Sequence, residues 1–174
     1  SVAEQFVIPD NPPVDIIFAV DQSCSMDSIT TPLGNAFSSF ISEINNVTND
    51  WRIGVATNDN GCFNSGVIDA NTTNYSSEFQ SAVSVGGCSG GYPTCDTEAL
   101  FRVTYKALTA SSSGSCNQNF LRNGAFLHVI MVSDEEEQSG VGWSNWLSQY
   151  TNYVSSSSLL KVSTIADINT QCGD

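Results

Sequence analysis

A chain of 174 residues with 40% hydrophobic residues is long enough to bury one sizeable core, so residues 1–174 are predicted to form one domain. Eighteen Asp and Glu face five Lys and Arg, and the net charge of −13 makes nucleic acid and anionic membranes poor partners. No apolar run reaches the roughly 18 residues that span a bilayer, so direct membrane insertion is not expected.

Strands and helices alternate along the chain after a polar lead-in over residues 1–13. Near-continuous apolar runs predict strands buried on both faces, and apolar residues three or four apart predict amphipathic helices. In chain order, we predict a strand over 14–21, a helix over 32–46 with Pro32 in its first turn, strands over 51–59 and 66–70, helices over 76–84 and 97–109, a strand over 125–134, a helix over 142–154 and a strand over 159–168. This alternation predicts an α/β fold, in which a doubly wound, mostly parallel central sheet lies between layers of helices.

Six cysteines are many for this length, and they occur with a single His. No C-x-x-C motif is present, which argues against a zinc ribbon or a redox dithiol. Disulfides in an oxidising compartment, extracellular or at the cell surface, are the better explanation. Sequence alone does not fix the pairing, although the short loop between Cys88 and Cys95 favours that pair.

Two of the predicted buried strands end in a carboxylate, at Asp21 and at Asp134. In a parallel sheet, ligands bind at the carboxyl ends of the strands, so neighbouring strands would bring both side chains to one crevice. The first strand continues into Asp-x-Ser-x-Ser, and alternate oxygens of this kind suit a hard cation such as Mg²⁺. The simpler alternative is that Asp21 ends a strand while Ser25 or Asp27 caps the next helix.

The segment DIIFAVDQSCS resembles the first strand and metal-binding loop of the von Willebrand factor type A family, which includes integrin inserted domains. This resemblance implies a metal-ion-dependent adhesion site holding Mg²⁺, with Mn²⁺ or Ca²⁺ as alternatives. The implied metal ligands are Asp21, Ser23 and Ser25 in the first loop, Thr94 in TCDTEAL with Thr97 as its substitute, and Asp134 in VIMVSDEEE. The chain departs from the family pattern at Asp96 and at Glu135. It also departs at its end, where the family usually continues through a further strand and helix, so that either the sequence is cut short or this branch is compact.

The resemblance also implies a function. We expect an extracellular adhesion module that binds a carboxylate-bearing protein or glycan through the cation, as part of a larger fibre or surface protein. The many cysteines, the Ser, Thr and Gly content and the acidity resemble a bacterial surface adhesin branch of the family. The alternative is an assembly domain of a surface fibre or pilus with a stabilising metal. We do not expect an enzyme, because the one His, His128, is predicted to lie in the core and leaves little for a Ser–His or Cys–His pair.

Three further features have competing interpretations. The acidic run 134–137 is expected to be a solvated loop, with a second, calcium-type site as the alternative. Trp143, Trp146 and Tyr150 share one side of a predicted helix and are expected to pack in the core rather than to form a sugar-stacking platform. Cys24, inside the implied metal loop, is expected to anchor that loop through a disulfide, and Cys62 is its candidate partner.

Overall fold

The computed structural model describes residues 11–23, 26–57, 60–84 and 99–166. Each predicted strand and helix is present there. The elements are β1 (Val14–Val20), α1 (Asp27–Asn45), β2 (Trp51–Ala56), β3 (Asn64–Asp69), α2 (Tyr75–Val83), α3 (Leu100–Thr109), β4 (Phe126–Ser133), α4 (Trp143–Tyr150) and β5 (Leu160–Ala166). A 3-10 turn over Thr151–Tyr153 follows α4 directly, so the α-helix ends before the predicted residue 154. No described helix is both long and apolar enough to cross a membrane.

The described strands form one five-stranded sheet in the order β3-β2-β1-β4-β5. Strand β1 pairs in parallel with β2 and with β4, and β4 pairs in parallel with β5. Among these strands only β3, which pairs with β2, runs antiparallel. The predicted α/β class with a mostly parallel sheet is confirmed, and β1 and β4 are neighbours.

Strand β1 is buried on both faces, which explains its near-continuous apolar sequence. Ile16, Phe18 and Val20 point into a core shared with α1 and α2. Ile17 and Ala19 point into a second core shared with α3 and α4. The sheet therefore separates two helix layers, and the two cores hold it from both sides.

Helix α1 begins at Asp27 and not near residue 32, so the predicted start is wrong and Pro32 lies inside the helix. The apolar stripe of this helix extends upstream of Leu33 through Met26 and Ile29, both of which contact the core. Their spacing of three and four residues is helical. Tertiary packing of this stripe outweighs the cost of one missing backbone donor at Pro32.

The aromatic side of α4 is only partly in the core. Trp146 and Tyr150 are buried, as predicted, and the Tyr150 hydroxyl donates to the Phe101 carbonyl oxygen at 2.7 Å. Trp143, the first residue of the helix, is instead 65% exposed. The expectation that all three aromatics pack in the core is wrong for Trp143.

At the amino-terminal end of β1, Arg122 binds both Asp15 and Asp50, and we call this group the arginine clamp. The Arg122 Nε and backbone N–H donate to the two carboxylate oxygens of Asp15, each at 2.8 Å, and Arg122 also pairs with Asp50. Asp15 is almost fully buried. Burial raises the pKa of Asp15 and the Arg122 charge opposes that rise, so the clamp partly compensates for placing a carboxylate inside the sheet.

A disulfide joins Cys62 to Cys116, across 54 residues of sequence. Cys62 therefore cannot pair with Cys24, and that expectation is wrong. Cys24, Cys88 and Cys95 lie outside the described residues, as does the favoured Cys88–Cys95 pair. Beside the disulfide, the buried Asn117 accepts a hydrogen bond from the Phe63 N–H and donates to the Gly61 and Ala107 carbonyl oxygens. The two features together fix the loop after β2 to the end of α3.

Replacing both Cys62 and Cys116 by Ser should lower the free energy of unfolding by roughly 2–4 kcal/mol, because the unfolded chain loses a long closed loop. Urea denaturation followed by circular dichroism measures this change. The Ser113→Ala variant, in the exposed turn near Cys116, is the control and should match the wild type. An unchanged unfolding midpoint in the double variant would show that the cross-link does not stabilise the fold.

His128 lies in the middle of β4, half-buried, with its Nε2 at 3.0 Å from the Ser163 hydroxyl of β5. Burial, assisted by the positive charge of Lys161, lowers the pKa of His128 below its ordinary value of 6.5. Protonation is therefore easier in the unfolded chain than in the folded one.

The stability contributed by neutral His128 should be complete above pH 6.5 and should fall as the pH drops from 6.5 towards the lowered pKa. One proton changes the free energy of unfolding by at most about 1.4 kcal/mol per pH unit. Urea denaturation between about pH 8 and about pH 5 tests this, with His128→Gln as the comparison because this is the chain's one His. Equal slopes in the two proteins would contradict the assignment.

Candidate metal centre

Asp21 is a carboxylate buried at the carboxyl end of β1, with 2% of its surface exposed. Its backbone N–H donates to the Val132 carbonyl oxygen at 2.9 Å and so extends the β1–β4 ladder by one residue. The Ser23 N–H donates to Asp21 Oδ1 at 2.8 Å, and the Ser133 hydroxyl donates to Oδ2 at 2.7 Å. Both carboxylate oxygens are thus held in fixed positions by neutral donors.

Ser23 follows in a tight turn that the Asp21 side chain stabilises. The hydrogen bond from the Ser23 N–H to a carboxylate two residues earlier is an Asx-type turn, which leads the chain away from the strand. The Met26 N–H then donates to the Ser23 carbonyl oxygen at 3.0 Å, and the buried Met26 side chain packs in the core below. The turn therefore keeps Ser23 beside Asp21, at the sheet edge.

The capping alternative is only partly supported. Asp21 does satisfy a backbone donor, as that alternative requires. The N-cap of α1 is Met26, however, and no side chain caps the helix from that position. Asp27 lies one residue inside the helix, and Ser25 lies outside the described residues. Capping by Ser25 or Asp27 therefore stays a prediction, and only the part of the alternative that concerns Asp21 is supported.

Asp134 is the first residue after β4, at the same edge as Asp21. The register pairs Val20 with Val132, so the residue directly beside Asp21 is Ser133, and Asp134 lies one position farther along. Our sequence interpretation missed Ser133, which bonds Asp21 and also accepts from the Glu135 N–H at 3.1 Å. A hydroxyl residue directly before a strand-end carboxylate is the pattern that could have indicated it.

The structure thus places three of the predicted metal ligands, Asp21, Ser23 and Asp134, at the carboxyl ends of adjacent strands. Ser25, Thr94 and Thr97 lie outside the described residues. Within the described part of the chain, no three His, Cys, Asp or Glu side chains form a group that could hold a metal ion. A centre at this edge would therefore depend on hydroxyl oxygens as well as on its two carboxylates.

The donor chemistry at this edge fits a hard divalent cation, because carboxylate and hydroxyl oxygens are the ligands that Mg²⁺ and Ca²⁺ prefer. A carboxylate offers about four lone-pair positions, and the two hydrogen bonds to Asp21 use only part of them. Asp21 forms no ion pair with any described residue, whereas the buried Asp15 at the other end of β1 is paired with Arg122. A positive charge beside Asp21 would compensate for the burial of this carboxylate, as Arg122 does for Asp15.

The acidic run 134–137, after β4, also makes hydrogen bonds to the protein. Glu137 Oε2 accepts from the Leu100 and Phe101 N–H groups at 2.9 and 3.3 Å, while Oε1 accepts from the Ser139 N–H at 2.9 Å. The Ser139 hydroxyl accepts from the Arg102 N–H at 3.0 Å. The run is an exposed loop from Glu135 to Glu137, as expected, and through Glu137 it also supplies the cap of α3. No described contact supports the alternative of a calcium-type site.

No family model matches the sequence, and no curated protein matches it. Nineteen chains of solved structures do match. Two are structures of proximal thread matrix protein 1 from the mussel byssus, with 15% and 16% sequence identity and TM-scores of 0.48 and 0.47; the second has zinc in its MIDAS motif. Each match covers 90% of this chain and 38% of the mussel chain, so this chain spans well under half of that protein's length. At these values the likeness decides neither family nor function. It gives no support to a bacterial branch.

Replacing Ser133 by Ala should lower the free energy of unfolding by about 1.5–3 kcal/mol, because a buried charged acceptor on Asp21 loses its donor. Urea denaturation without added metal measures the loss. The exposed Ser113→Ala variant makes the same chemical change away from any buried carboxylate and should stay within about 0.5 kcal/mol of the wild type. Equal stability of the two variants would mean that the Ser133–Asp21 contact contributes little.

Proposed function

We propose that this chain is a von Willebrand factor A-like adhesion module that binds a carboxylate-bearing protein or glycan through a divalent cation. The observation that supports this most is Asp21, a buried carboxylate whose described partners are neutral donors, at a sheet edge that also holds Ser23 and Asp134. A cation bound there supplies an open coordination position to an external carboxylate. This explains how a protein with a net charge of −13 can hold an acidic partner.

Each residue has a separate part in this proposal. Asp21 and Asp134 supply negative charge from adjacent strands, and the hydroxyls of Ser23, Ser25 and Thr94 or Thr97 supply neutral oxygens. Because two carboxylates are few, the cation keeps a high affinity for one more anionic ligand. The proposed resident ion is Mg²⁺, with Mn²⁺ or Ca²⁺ as alternatives, and no catalytic step is proposed.

The proposed setting is outside the cell. The Cys62–Cys116 disulfide favours an oxidising, extracellular environment. A place in a larger fibre or surface protein, of bacterial or other origin, belongs to the proposal. The second candidate function is an assembly domain in which the metal only stabilises the fold. The Cys62–Cys116 disulfide and the Arg122 clamp favour it, because both cross-link the fold without contributing to the proposed binding site.

Asp21→Asn and Asp134→Asn should each abolish or strongly weaken Mg²⁺ and Mn²⁺ binding, because each removes a negative charge at the sheet edge while keeping the shape of the side chain. Isothermal titration calorimetry measures the affinity, and circular dichroism checks that the fold persists. Glu78→Gln, on the exposed side of α2, is the control and should bind like the wild type. Unchanged affinity in both Asp variants would refute the proposed centre.

A binding screen against glycan and surface-protein arrays, with and without EDTA, separates the two candidate functions. Adhesion through the metal predicts ligands that EDTA releases and that Asp21→Asn fails to bind. Metal binding without any chelator-sensitive ligand, together with a lower unfolding temperature in EDTA, would favour the assembly domain.

A further inference from the structure

Helix α3 has no N-terminal cap of its own. Its N-cap residue is Ala99, whose side chain accepts no hydrogen bond, and the first turn of the helix has no acidic residue. The first N–H groups of a helix have no partner inside the helix, and leaving them unsatisfied costs stability. In this chain the partners of three of them, at Leu100, Phe101 and Arg102, come from the loop after β4.

Glu137 is the centre of this connection. One carboxylate oxygen accepts from two successive N–H groups of α3, and the other accepts from the Ser139 N–H of the same loop. The partial positive charge at a helix N-terminus favours a carboxylate in this position. Ser139, which is buried, adds a third bond to the helix through the Arg102 N–H. The loop is therefore bound to the helix by two hydrogen bonds to the Glu137 carboxylate and one to the Ser139 hydroxyl.

The same loop is bound to the sheet at its other end. Ser133 donates to Asp21 and accepts from the Glu135 N–H, so the chain is held as it leaves β4. Asp134 lies between these two attachments, one residue after Ser133 and three residues before Glu137. A pocket of about 80 Å³, partly open to solvent, lies against the loop and is lined on its other sides by Leu100, Phe101, Met131, Thr164 and Ala166.

We propose that Glu137 is a positioning residue for the metal centre: by joining the loop after β4 to the N-terminus of α3, it fixes Asp134 at the metal edge of the sheet. This rests on the proposed function, because Asp134 matters for binding only if the centre holds a cation. Glu137 acts through its hydrogen bonds and not as a ligand. Its neighbour Glu136 carries the same charge on the same loop, is exposed and has no part in this cap.

The test compares Glu137→Ala, Glu137→Gln and Glu136→Ala in the 174-residue chain, by calorimetry with Mg²⁺ and Mn²⁺. Residues that orient metal ligands typically change affinity by roughly 10-fold to 100-fold, so we expect Glu137→Ala to weaken binding by about 10-fold or more. Glu136→Ala should bind like the wild type. Glu137→Gln keeps an oxygen acceptor for the Leu100 and Phe101 N–H groups and should recover part of the lost affinity.

Two results would overturn the proposal. Equal weakening in Glu137→Ala and Glu136→Ala would show that loop charge matters and positioning does not. Glu137→Gln binding as weakly as Glu137→Ala would show that the negative charge acts directly on the cation.

A measurement on the metal-free protein separates this proposal from the proposed function. By NMR, the Leu100 and Phe101 amide protons should exchange faster, and the Asp134 amide resonance should shift, in Glu137→Ala but not in Glu136→Ala. If the wild type binds neither Mg²⁺ nor Mn²⁺, the proposed function fails, and an unchanged Asp134 resonance would then reject the positioning role as well.

Discussion

The structure depends on the burial of β1, the central strand, which is covered on both faces of the sheet and paired along both of its own edges. A strand in that position has apolar side chains above and below, and its backbone is paired with β2 and β4. Its polar side chains can therefore lie only near its ends, and each buried one needs a partner. Asp15 at one end has Arg122, whereas Asp21 at the other has the Ser23 N–H and the Ser133 hydroxyl. The candidate metal centre lies at the Asp21 end because the buried carboxylate there has neutral donors, whereas the one at the Asp15 end has a positively charged partner.

Much of the fold could be predicted because its elements carry strong local patterns. Buried strands such as β1 and β4 appear as apolar runs, and α3 appears as a stripe of apolar residues. The start of α1 could not be predicted from Pro32, since the packing of Met26 and Ile29 decided it. Trp143 shows the opposite error: its spacing is that of a core residue, yet its place at the start of α4 leaves it exposed.

The candidate centre was predictable only in part, and the reason is register. Sequence could place Asp21 and Asp134 at the ends of buried strands, but only the pairing of Val20 with Val132 shows that Ser133 contacts Asp21. Glu137 was equally hidden, because a helix cap supplied from 37 residues away leaves no local motif. The Cys62–Cys116 disulfide is also non-local, so no local motif marked Cys116 as the partner of Cys62.

The arginine clamp at the opposite end of β1 has a mechanical consequence. A partner held at the Asp21 edge would pull along the axis of β1, and both neighbouring ladders would then be loaded in shear, with their hydrogen bonds sharing the force. Arg122 bonds Asp15 of β1 and also Asp50, directly before β2. The clamp therefore links the central strand to its neighbour at the end farthest from the load, so that the two strands share the tension.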